Sequence, residues 1–120
     1  MGLNVYMPDF YRDRYFDAAK IQDDMDGFKE FLKSVPEEQI KKDVFESLLP
    51  HVEKEVGDFS SLGIAGFCWG SIPVFLCCQN KKFDYGLNYH PSLIALKHVG
   101  QDPVEFGKKT KAPQLLILSK

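Results

Sequence analysis

Gly66-Phe67-Cys68-Trp69-Gly70 sets one cysteine between two glycines, with the apolar run Leu62–Gly66 before it and the apolar stretch Gly70–Gln79 after it. Few backbone paths suit that order. A strand that turns at once into a helix crowds the residues two before and two after the apex, so both places call for residues without bulky side chains. The apex side chain then stands clear of its surroundings, close to backbone N–H groups that have no partner within the helix. A cysteine there is a candidate nucleophile. The helix N-terminus favours negative charge on its sulfur, and the N–H of Trp69 can donate to a developing oxyanion. The bland alternative is a small buried cysteine in a glycine-rich turn.

The flanking sequence supplies a framework for such a turn. Leu3–Tyr11 reads as a short strand that ends in a loop at Pro8 and Asp9. Over Asp17–Val35 the apolar residues Ala18, Ile21, Met25, Phe28, Phe31 and Leu32 recur at helical intervals, with Gly27 as a weak point. Ser34 and Glu37 have the spacing of a capping box, and Pro36 suits a first helical turn. Ile40, Val44, Leu48, Val52 and Val56 then form one stripe that Gly57 ends, and Pro50 predicts a kink or a split within it. Further strands are expected at Leu62–Gly66, Phe83–His90 and Ala112–Lys120, a buried helix at Gly70–Gln79, and a loop or short helix at Pro91–Gly100. Strands alternating with helices predict an α/β domain over residues 1–120, with a mostly parallel sheet and flanking helices.

Composition removes several functions. A net charge of −2 gives no electrostatic grip on nucleic acid or an anionic membrane, so neither is an expected partner. No apolar run approaches the length of a membrane span, and the N-terminus lacks the charged-then-apolar pattern of a signal peptide. Three cysteines, Cys68 and the adjacent Cys77 and Cys78, do not make a disulfide framework and favour a reducing, cytoplasmic setting. No Cys-x-x-Cys or His-x-x-x-His spacing occurs, so no metal site is expected. Cys77 and Cys78 read as core residues, and His51 and His98 as solvated ones.

Three segments carry a family resemblance: "GIAGFCWGS" (63–71), "YGLNYHPSL" (85–93) and "NVYMPDFYR" (4–12). Together they resemble the dienelactone hydrolase family of α/β-hydrolases, in which a cysteine occupies the elbow and His-Pro-Ser follows the next strand in the eukaryotic branch. Ser71 departs from the pattern, since many members have a glycine there. The resemblance implies a partial α/β-hydrolase fold and attack by the Cys68 thiolate on a small ester or lactone. The backbone of Trp69 would donate to the oxyanion, and neither metal nor organic cofactor would be needed. His90 falls on the rim as a candidate substrate contact, not as the general base, because the family's catalytic histidine follows the last strand. Tyr11, Arg12 and Arg14 follow the first strand and are candidates to face an anionic substrate.

In the family the triad aspartate follows the strand that matches "PQLLILS", and the histidine comes later still. One triad member of three is therefore assigned, and the domain over 1–120 is expected to be incomplete. The family also has a strand between those matching "LNVYM" and the elbow strand. The expected sheet would lack it, so the first strand must re-pair, or a homo-oligomer or strand exchange with another chain must fill the gap. Two alternatives remain open. One is a non-catalytic fragment or relic with a structural or binding role. The other is a peroxide-sensing thiol at Cys68.

Overall fold

Three apolar segments pair as parallel strands in the computed structural model, which describes residues 2–119. Met1 and Lys120 lie outside the described residues, so the extreme ends of the expected 1–120 domain and of the expected last strand do too. β1 (Gly63–Phe67), β2 (Tyr85–Tyr89) and β3 (Gln114–Ile117) follow one another across the sheet in chain order. Phe67 pairs with Tyr89 and Tyr89 with Ile117, so the three strands end level at their carboxyl ends. The Asp84 carboxylate fixes the other end. It accepts from the N–H of Leu62 at 2.7 Å, while the N–H of Asp84 donates to the Leu62 carbonyl at 2.8 Å.

The crossovers explain where the core lies. Parallel strands taken in sequence with right-handed connections put every crossover helix on one face of the sheet. α4 (Ser71–Cys77) packs on β1 and β2, and all seven of its residues are buried. α2 (Glu37–Lys41) and α5 (Pro103–Lys108) cover α4 from outside. α1 (Met25–Lys33) packs against a 3-10 helix, Leu93–Val99. Cys77 and Cys78 lie in this core. α5 has no counterpart among the expected elements. Its signal was Asp102 before Pro103, and the Asp102 carboxylate accepts from the N–H groups of Val104 and Glu105 at 2.8 and 2.9 Å.

Several local expectations are corrected. Residues 3–9 join no sheet; the segment touches the end of the helix Leu49–Val56 through Tyr6, whose hydroxyl donates to Glu55 at 3.1 Å. Among the described residues the sheet therefore has three strands rather than four, and the first segment has not re-paired. The expected helix over Asp17–Val35 is divided. Asp17 caps a 3-10 turn at Ala18–Lys20, and α1 starts only at Met25 because the Asp24 carboxylate accepts from the N–H of Gly27 at 2.9 Å. The Ser34–Glu37 capping box does not form. Ser34 Oγ donates to the Phe31 carbonyl at 2.6 Å, and Pro36 sits at the N-cap, outside the first turn.

The α-helical stripe is divided next to Pro50, as expected, and the division is a π-helical segment. Lacking an N–H and crowding the carbonyl four residues earlier, Pro50 follows this segment, Lys42–Leu48, which leads into α3 (Leu49–Val56). The N–H of Leu49 reaches the Val44 carbonyl, one residue beyond the α-helical partner. That extra residue shifts the buried face. Ile40, Val44, Leu49 and Val52 are buried, and Leu48 is displaced toward the surface. Gly57, with φ +74°, ends α3 as expected.

Candidate active site

Cys68 begins immediately after β1, in a single 3-10 turn (Cys68–Gly70) that runs into α4. Its φ is +52°, a left-handed value that is uncommon and costly outside glycine. The tight reversal accounts for it. An ideal Cβ on Gly66 would press on the Gly70 carbonyl and lie 2.8 Å from Val74 Cγ2, so strand and helix meet backbone to backbone here. The N–H of Ser92 donates to the Cys68 carbonyl at 3.1 Å and anchors the turn from the next connection. Cys68 is exposed, whereas Cys77 and Cys78 are buried. The reading of Cys68 as a small buried residue is thereby overturned. Trp69 follows in the first turn, where backbone N–H groups have no intrahelical partner.

His90 occupies the corresponding place on the neighbouring strand, one residue past Tyr89, the register partner of Phe67. It is exposed, has φ +37°, and its N–H donates to the Ile117 carbonyl at 2.6 Å. Tyr11 arrives from the N-terminal loop. The Asp9 carboxylate shapes that loop by accepting from the backbone N–H groups of Tyr11, Arg12 and Asp13 at 3.0–3.2 Å. These bonds, led by that of Asp13 and helped by the Arg12 charge, hold the Asp9 carboxyl below its usual range. Arg12 and Asp13 take left-handed φ values in the same turn. Asp9 was visible in the sequence only as a loop marker. Its organising role depends on a turn that no spacing rule marks.

An aromatic stack carries Tyr11 to the elbow. Its ring lies 5.2 Å from that of Phe31 and 5.0 Å from that of Trp69, and Phe10 meets Trp69 edge-on. Burial, and after it the negative charge of the nearby Cys68 thiolate, push the Tyr11 hydroxyl up to about 12. It is therefore a neutral donor at ordinary pH. Arg12 turns elsewhere: its guanidinium binds Asp43 at 2.7 Å. Arg14 donates to the carbonyls of Tyr11 and Ser34 and serves the loop. His51 faces Glu55 at 3.1 Å, and His98 packs edge-on against Phe28.

Trp69 also lines a cleft of about 420 Å³ with Leu32, Ile40, Ile72 and Leu96, and the hydrogen-bonded pair Glu37 and Gln101 forms its polar end. No His, Asp or Glu side chain hydrogen-bonds to Cys68 Sγ among the described residues. Nor do three His, Cys, Asp or Glu side chains cluster there as metal ligands would.

A parallel sheet that delivers a left-handed residue at its carboxyl edge, directly before a buried helix, has the layout of the α/β-hydrolase class. The model of the dienelactone hydrolase family matches residues 1–118, and the chain belongs to that family of hydrolases. Comparison with curated proteins and with solved structures gave no match. Among the described residues no helix is long and apolar enough to cross a membrane.

Proposed function

We propose that the chain is a cysteine hydrolase of the dienelactone hydrolase type, acting on small esters or lactones from a reducing cytoplasm. The observation that carries this reading is the contrast among its thiols: Cys68 alone is exposed, at a strained elbow, while the other two are core. In the reaction the Cys68 thiolate adds to the substrate carbonyl carbon. The carbonyl oxygen takes the negative charge and accepts from the N–H of Trp69. Collapse expels the alkoxide, which takes a proton from water, and leaves a thioester on Cys68. Water then adds to the thioester, and loss of the thiolate completes hydrolysis. Tyr11, as a neutral donor, and His90 are substrate contacts at the rim, with Arg12 available only by leaving Asp43.

A second reading has a specific observation behind it. With no imidazole or carboxylate on Cys68 among the described residues, the chain is a catalytically incomplete single domain with a structural or binding role. The outer edge of β1, which has no neighbouring strand among the described residues, then takes a strand from another chain. Hydrolysis of p-nitrophenyl acetate followed beyond one equivalent, beside Cys68→Ala, separates the two. Sustained turnover that the substitution abolishes supports the hydrolase. A stoichiometric burst, or no reaction at all, supports the incomplete domain, and turnover that survives Cys68→Ala refutes Cys68 as the nucleophile.

A further inference from the structure

The cleft beside Trp69 lies within the helical layer. All of its lining residues fall between Leu32 and Gln101, so its walls stand whatever precedes or follows the chain. Trp69 and Ile72, three residues apart, carry it from the elbow into α4. Leu32 of α1, Ile40 of α2, and Ala95 and Val99 of the 3-10 helix Leu93–Val99 add further apolar walls. Charge stays at the margin. Lys33 and Glu38 are exposed, and the Glu37 carboxylate accepts from Gln101 Nε2 at 2.5 Å, with Lys41 Nζ 4.0 Å away. The volume of about 420 Å³ falls within the range of small-molecule sites, about 300–1,000 Å³.

We propose that this cleft holds the acyl chain of the substrate and selects neutral, unbranched acyl groups of medium length. The proposal rests on the hydrolase reading of Cys68 and names the substrate class of that site. The wall nearest the reaction belongs to Trp69, whose own N–H receives the substrate oxygen. The acyl group is also the part that stays. The alcohol departs in the first step, whereas the acyl group remains on Cys68 as the thioester until water adds. A walled cleft next to the nucleophile suits the part that stays. Its apolar walls withdraw methylenes from water, and the Glu37 carboxylate repels a chain that itself ends in a carboxylate.

Hydrolysis of p-nitrophenyl hexanoate and p-nitrophenyl acetate by the full chain tests this. A methylene withdrawn from water is worth about fourfold, so four half-buried methylenes raise kcat/KM about fifteenfold over acetate. Val99→Phe and, separately, Ala95→Leu fill the cleft from two positions and abolish that gain. Val104→Phe, at an exposed position of α5, leaves the gain as it is. Binding without turnover is read from Trp69, the only tryptophan. Hexanamide, a non-hydrolysable analogue, shifts its emission saturably in the parent and in Cys68→Ala. Acetamide at the same concentration does not, and Val99→Phe abolishes the shift. Cys68-dependent turnover of acetate with no gain for hexanoate overturns the proposal and leaves the hydrolase standing. Hexanamide binding with no Cys68-dependent turnover supports the cleft as an apolar ligand site and removes the hydrolase. No emission change with hexanamide overturns the proposal. So does a gain that follows the alcohol instead, in hexyl acetate over ethyl acetate, which would assign the cleft to the leaving group.

Discussion

The elbow contains two glycines, and the structure assigns them unequal work. In Gly66→Ala the new Cβ would press on the Gly70 carbonyl oxygen, 2.5 Å from its carbon and 2.8 Å from Val74 Cγ2. Carbon atoms rest about 3.5–4.0 Å apart, so β1 and α4 must separate by about 1 Å. Val74 is β-branched and fully buried, and cannot swing away. Overpacking of this kind costs about 1–3 kcal/mol, and displaced backbone puts it at the upper end. Gly70 has helical φ −58° and ψ −14°, with nothing within 4 Å of its ideal Cβ. Gly70→Ala is thus neutral or stabilising by up to about 1 kcal/mol. Urea denaturation read by circular dichroism should show Gly66→Ala losing about 3 kcal/mol with an unchanged slope. The midpoint of thermal unfolding should fall by about 10 °C. Equal losses in the two variants, or a Gly66→Ala within about 0.5 kcal/mol of the parent (the usual scatter of surface substitutions), would refute the steric account.

Ser71 is fully buried and its hydroxyl has no partner among the described residues, so Ser71→Ala should stabilise the protein by about 1 kcal/mol in the same urea assay. Burial, followed by the neighbouring Cys78, pushes the Cys77 thiol from 9.0 to about 12. The unfolded chain then ionises first, so stability should fall above pH 9 by about 1.4 kcal/mol per pH unit. Cys77→Ala should remove its share of that decline, leaving those that the burial-raised Cys78 thiol and, above pH 10, Tyr11 add. Asp9 shows the opposite sign: its lowered carboxyl supports the Tyr11 loop above its unfolded value of 3.8, and that support is lost as pH falls through the folded value. Trp69 is the only tryptophan, so its emission should shift to the red in that acid range. Asp9→Ala should give the same shift at neutral pH, and an unchanged spectrum in the variant would separate the loop from the stack.

The elements that depend on neighbours in the chain were legible in the sequence. Gly66-Phe67-Cys68-Trp69-Gly70 determined a strand–turn–helix, because the crowding is between residues four apart. The apolar runs at 62–66, 83–90 and 112–119 determined parallel strands, since each has a helix-length connection to the next. Gly57 determined a helix end through its own backbone freedom. What depends on neighbours in space was decided only by tertiary packing. Leu3–Met7 has the pattern of a strand, but a strand needs a partner, and the outer edge of β1 does not reach it. The stripe through Leu48 is regular on paper, yet Pro50 is accommodated by a wider π turn that delivers Leu49 to the core instead. Ser34 and Glu37 keep the spacing of a capping box, while the Phe31 carbonyl and Gln101 claim their side chains. At the candidate site the sequence determined the apex and the first backbone donor. Only the fold brought Tyr11 beside Cys68, through an Asp9-bound loop and the rings of Phe31 and Trp69, and only the fold turned Arg12 toward Asp43. Local crowding is written along the chain, whereas a side chain's partner depends on which distant surface arrives first.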